Sequence, residues 1–241
     1  MRQSRNILIT NDDGIESDGL VRLAKIASGF GRVWVIAPDG QRSAASHSIT
    51  VREPIDIFPC SFPVEGVRAY KCSGTPADCV RIGILHLLPV RPDILLSGIN
   101  LGYNMAADIQ YSGTVGAAFE AERHGVPAIA FSEGTGDDHS LTDQELPGIL
   151  GMLINRKPSA GQVYNVNFPQ CSPEECKGIL EDRTVSRDGV YLERYMETDK
   201  LPNGGSRLRV NGIYNDRSKE GTDLRAVLDQ YISISLIRNI C

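Results

Sequence analysis

Through the first two thirds of the chain, apolar runs of strand length alternate with longer stretches in which apolar residues recur every three to four positions. That alternation predicts a parallel sheet with crossover helices. Strands are expected at Asn6 to Thr10, Val33 to Ala37, Ile94 to Ser97, Ala128 to Phe131 and Val163 to Asn167. Their β-branched, almost uncharged interiors suit strands covered on both faces. Helices are expected at Asp18 to Ser28, Ala77 to Leu87, Thr114 to His124 and Gln144 to Ile154. In the first of these, Leu20, Leu23, Ala24 and Ala27 make one apolar stripe, and Gly29 offers a C-terminal stop.

From Ile49 to Lys71 the pattern breaks into short alternating pieces with several prolines, which reads as an antiparallel insertion after the second strand. A second irregular region, Lys177 to Arg217, is rich in charge and Gly and holds the strand-like fragments "VYLERYME" and "SRLRVNGIY". A β-hairpin arm projecting from the body accounts for it, with Val190, Leu192, Tyr195, Leu208 and Val210 exposed until another subunit covers them. The end, "TDLRAVLDQYISISLI", returns to a short helix and an alternating strand. The expectation is therefore one α/β domain over 1–241, Rossmann-like and mostly parallel, with 177–217 as an oligomerisation arm and 218–241 as a closing helix and strand.

Composition narrows this picture little. With 241 residues, 41% hydrophobic and 23% charged, the chain is ordinary for a soluble domain. Its net charge of −5 argues against binding of extended nucleic acid, which needs a basic surface, but leaves room for a nucleotide. No apolar run approaches 18 residues and none precedes the first strand, so a cytoplasmic protein with no membrane partner is expected. Cys60, Cys72, Cys79, Cys171, Cys176 and Cys241 form no C-x-x-C pair and read as free buried thiols.

The candidate chemistry lies where strands end. Asn11, Asp12, Asp13 and Gly14 follow the first strand, Asp39 to Ser46 the second, and Asn100, Gly102 and Asn104 the third, while Ser112, Gly113 and Thr114 open a helix. Ligands of open α/β sheets bind at that carboxyl edge. Adjacent carboxylates about 4 Å apart would repel by roughly 4 kcal/mol at an effective dielectric near 20, so a positive group should lie between Asp12 and Asp13. With a hydroxyl from Ser43 and an amide oxygen from Asn100, the set is hard oxygen, suited to magnesium or manganese. The Ser-Gly-Thr helix start suits a phosphate. Taken singly, each element has a plainer reading: Asn-Asp-Asp-Gly as a capped turn, "SGT" as an N-cap, His47 and His124 as surface or capping groups.

The segments "ILITNDDGI", "VIAPDGQRSAASHSIT", "CSGTPADCV", "PDILLSGINLGYN" and "DIQYSGTVGAAFEAE", in that order, closely resemble the SurE family of survival proteins, which are metal-dependent nucleoside-monophosphate phosphatases. The resemblance implies a Rossmann-like body, a C-terminal arm used in homodimers or homotetramers, and one bound dication. It implies metal ligands at Asp12, Asp13, Ser43 and Asn100, with Asp12 and Asp13 also the catalytic pair, and a phosphate pocket of Asn104, Ser112, Gly113 and Thr114. The implied reaction is attack of water on a nucleoside 5′- or 3′-monophosphate. Two other readings remain open at this point: a phosphatase that forms an aspartyl-phosphate on Asp12, which the Asp-Asp-Gly spacing fits poorly, and a nucleotide-binding regulatory module without turnover. The chain departs from the family pattern at Ser17, Asp18, Gln41, Ala44, His47 and Ala106; Gly is usual at 44 and 106, and Asn at 47.

Overall fold

The computed structural model describes residues 5–192 and 194–239. Strand β1 (Arg5–Thr10) leads through α1 (Asp18–Ala27) to β2 (Gly31–Pro38). A hairpin of β3 (Ile57–Cys60) and β4 (Arg68–Cys72) follows. Helix α2 (Pro76–Ile82) runs on into a π-turn, Gly83–Leu87, and then come β5 (Ile94–Leu101), α3 (Gly113–Arg123), β6 (Ala128–Glu133), α4 (Ser140–Leu153) and β7 (Gln162–Phe168). The C-terminal third holds β8 (Ile179–Leu180), β9 (Tyr191–Leu192), β10 (Tyr195–Lys200), β11 (Ser206–Val210), β12 (Ile213–Tyr214), α5 (Asp223–Leu228) and β13 (Ile232–Arg238).

Nine strands form one sheet in the order β3-β4-β2-β1-β5-β6-β7-β13-β8. The six from β4 to β7 are parallel, and five of them, all but β4, are strands that the sequence pattern predicts. The chain leaves β1 toward β2 on one side and later returns to β5 on the other, so strand order reverses between β1 and β5 and opens a crevice at their carboxyl ends. Each face has its own core. Ile7, Ile9, Val33 and Val35 pack toward α1 and α4, whereas Leu8, Trp34, Ile36 and Leu95 pack toward α2 and α3. In α1 the expected stripe of Leu20, Leu23, Ala24 and Ala27 is buried.

Three expectations need correction. The insertion at 49–71 is antiparallel only in its hairpin; β4 pairs parallel with β2 and extends the main sheet. The arm is a ribbon in which β10 pairs with β11 and β9 with β12, its residues exposed, but Val190 is only 3% exposed and packs at its root against Met105 and Leu224. Val190 is thus body rather than open surface. Finally, five cysteines are free, but only Cys72 and Cys79 are fully buried; Cys241 lies outside the described residues. No helix among the described residues is long and apolar enough to cross a membrane.

Candidate active site

The turn after β1 divides its labour. Asn11 holds the loop: its amide Nδ2 donates to Gly14 O at 3.0 Å and Ser17 Oγ at 2.6 Å, and Gly14 N donates back to its Oδ1. The capped-turn reading is therefore correct for Asn11, and it leaves the carboxylates of Asp12 and Asp13 to other partners.

Backbone bonds tether each neighbouring loop to this turn. Arg42 N donates to Asp12 O at 2.7 Å, which fixes the residue next to Ser43 against the acidic pair; Ser43 itself is exposed. On the other flank, Leu101 N donates to Asp13 Oδ2 at 3.1 Å. Its neighbour Asn100 gives Nδ2 to Gly102 O at 2.7 Å, which turns the amide oxygen the other way. This loop is made possible by Gly98, whose φ of +131° and tight approach to Phe131 O, 2.3 Å from where a Cβ would stand, exclude a side chain.

Helix α3 is aimed at Asp12. Thr114 Oγ1 donates to Asp12 Oδ1 at 2.5 Å, and the Gly113 N–H bonds the same carboxylate. Gly113 is needed for that approach, since a Cβ there would stand 2.9 Å from the Asp12 Cβ. Ser112 caps the helix by accepting from Val115 N at 3.0 Å, leaving its own proton to donate elsewhere. The hydroxyl of Thr114, expected in the phosphate pocket, is thus given to the carboxylate. Asn104 is a buried hub. It gives Nδ2 to Ser132 Oγ, while Asn165 and Asn167 both donate to its carbonyl. Sequence reasoning passed over Asn165 and Asn167 as supports, although two amides at period two inside an apolar strand were a visible signal.

Electrostatically the acidic pair is under load. Burial pushes Asp12, 6% exposed, up to about 6; the Thr114 hydroxyl works against this and the charge of Asp13 adds to it. Burial also raises Asp13, against the pull of the Leu101 N–H. Two buried glutamates elsewhere have cationic partners: Glu133 takes two bonds from Arg22, at 2.7 and 3.2 Å, and Glu120 is ringed by His47, His124 and Arg81. Neither Asp12 nor Asp13 forms an ion pair with a side chain among the described residues, which also hold no cluster of three or more His, Cys, Asp or Glu suited to a metal. A dication fits two such carboxylates flanked by hydroxyl and amide oxygens, whereas a nitrogen- or sulfur-rich site does not form here.

An open, mostly parallel α/β sheet with an oxygen-donor crevice at its switch point defines the Rossmann-like class of α/β protein, which binds its ligands at that edge. Residues 7–189 match the family model described as Survival protein SurE, and the chain belongs to that family. It is 39% identical over 235 residues to a protein of Clostridium botulinum (strain Loch Maree / Type A3) named 5′-nucleotidase SurE, covering 95% of this chain and 91% of the relative. A Brucella canis protein of the same name is 42% identical over 81% of this chain and 83% of its own. The crystal structure of the SurE protein from Aquifex aeolicus superposes with a TM-score of 0.82 at 34% identity, covering 98% of this chain and 94% of that one.

Proposed function

We propose that this chain is a nucleotidase that hydrolyses nucleoside 5′- or 3′-monophosphates with the help of one divalent cation of the magnesium or manganese type. The observation that carries the reading is the Asp12–Asp13 pair at the switch point: two carboxylates raised by burial, tethered among oxygen donors, with no cationic side chain paired to them among the described residues. Family membership supports it, since the curated relatives are named 5′-nucleotidase. Asp12, Asp13, Ser43 and Asn100 would hold the cation. When bound, it lowers the pKa of a coordinated water and offsets charge on the phosphoryl oxygens.

The chain's own residues divide the remaining work. Asp12 is committed on one side to Thr114 and Gly113 and serves as anchor. Asp13, half-buried and held by a single backbone N–H, has room to orient the attacking water and take its proton. The Ser112 hydroxyl, the start of α3 and Asn104 hold the phosphate for in-line displacement, which transfers the phosphoryl group to water and releases the nucleoside. The exposed face of the arm fits a homodimer or homotetramer: Tyr195 lies opposite Val210 and Glu197 opposite Leu208, which puts three large apolar side chains on one open side.

Phosphate release from a panel of 5′- and 3′-nucleotides with magnesium, manganese or chelator is the test. Turnover that needs a dication and returns on its restoration is the expected result. Nucleotide binding without release under every dication would overturn the reading in favour of a regulatory module, and a trapped phosphoenzyme on Asp12 in favour of aspartyl-phosphate chemistry.

A further inference from the structure

The loop after β2 carries Ser43 in a span between two anchors. On one side Arg42 N donates to Asp12 O at 2.7 Å. On the other, the loop is held by the 3-10 turn Ala106–Tyr111 that leads into α3, and lies on α3 itself: Ser46 N donates to Tyr111 O at 3.0 Å, Ser46 Oγ to Gln110 O at 2.7 Å, and a Cβ at Gly116 would meet Ser46 O at 2.4 Å. The backbone is strained between the anchors and at the second of them, with φ of 55° at Ala44 and 54° at Ser46, so the conformation persists only because its ends are held.

His47 is the side-chain end of the second anchor. Its Nε2 lies 2.7 Å from Glu120 Oε2, and Glu120 is only 3% exposed. The other carboxylate oxygen, Oε1, is already served by His124 Nε2 at 3.1 Å and Arg81 at 3.4 Å, with Arg123 at 3.6 Å. Burial alone would raise Glu120, but the hydrogen bond from His47 and the charges of His47, His124 and Arg81 outweigh it and hold the carboxyl below its ordinary range. The buried charge thus has partners on α2 and α3 without His47. What His47 adds is a connection to the Ser43 loop.

We infer that His47, through its hydrogen bond to Glu120, is a positioning residue for Ser43: it clamps the loop against α3 so that the Ser43 hydroxyl is presented beside Asp12, and thereby sets the affinity for the divalent cation. The inference rests on the assignment of Ser43 to the cation site.

The test is manganese binding followed by electron paramagnetic resonance of the free ion, in wild type, His47→Ala, His47→Gln, Ser43→Ala and the Ser43→Ala/His47→Ala pair. Supports one layer behind metal ligands are typically worth 10- to 100-fold in metal affinity, so His47→Ala should raise the manganese Kd about tenfold. His47→Gln, which keeps a donor at similar reach, should restore most of it, and kcat at saturating manganese should stay near wild type for both. In the Ser43→Ala background His47→Ala should cost nothing further, because the group it positions is gone. Wild-type affinity in His47→Ala while Ser43→Ala weakens binding would overturn the inference, as would an equal cost of His47→Ala in both backgrounds, which means general loosening. Unchanged affinity in Ser43→Ala would remove Ser43 from the cation site, a failure of the underlying assignment that takes the inference with it.

Discussion

Ala44 and Ala106 both stand at positive φ, 55° and 56°, where a Cβ is unfavourable, and both are places where proteins resembling this chain usually have Gly. Ala44 is exposed, so Ala44→Gly loses no packing and should stabilise the protein by about 0.5–1 kcal/mol, the αL penalty less the greater entropy of an unfolded Gly. Ala106 is fully buried, and the methyl it would lose leaves Ala106→Gly near neutral. Urea unfolding of the two variants checks this, and a destabilised Ala44→Gly would show the loop to be unstrained. Asp12 gives the larger effect. A carboxyl raised from 3.8 to about 6 on folding costs about 3 kcal/mol wherever both states are ionised. The folded state takes up its proton first, so the penalty is full above about pH 6, fades as pH falls through that value, and is gone below the unfolded value near 3.8. Without metal, Asp12→Asn should therefore be more stable than wild type by about 1–3 kcal/mol at pH 7.5, with the gain vanishing near pH 4. A gain independent of pH would mean that charge is not its source.

The helix start at Ser112 to Thr114 shows what an element's sequence hides. Its capping role was legible, because Ser before a helix satisfies free N–H groups in any context. That Thr114 would turn its hydroxyl onto Asp12 was not, since it depends on a contact across 102 positions of chain. Because this donor favours the ionised carboxylate, Thr114→Val should raise Asp12 further and shift the pH midpoint of manganese binding upward; an unmoved midpoint would separate Thr114 from Asp12. Strands β1, β2, β5, β6 and β7 were readable from unbroken β-branched runs, their ends missed by a few residues. Strand β4, "RAYKC", was not read as part of the parallel sheet, since its exposed Arg68 and Lys71 interrupt any apolar run. Helix α4 starts at Ser140, ahead of the expected Gln144, and continues through Pro147.

At the scale of the whole molecule, the four polar clusters were readable as lying at one edge because a parallel sheet puts the carboxyl ends of its strands on the same side, whereas the tethers between them, Arg42 N to Asp12 O and Leu101 N to Asp13, have no signature in side-chain identity. The arm was visible as a hairpin, but its root was misread: Val190 belongs to the body with Met105 and Leu224. Replacing Tyr195 to Val210 by a short Gly-Ser linker removes the open apolar face and keeps that root. It should give a smaller species by light scattering with manganese binding retained, since an isolated ribbon is marginal in water and gains from a partner subunit. An unchanged oligomeric mass would show that the arm does not assemble the protein. The acidic pair itself is tested most directly by the rate of phosphate release from a nucleoside monophosphate at saturating magnesium, for Asp13→Asn against wild type. On the proposed reading Asp13 both holds the cation and handles the water's proton, so its loss should cost at least about 100-fold in kcat with the fold intact. A rate within a few-fold of wild type would place the reaction elsewhere in the molecule.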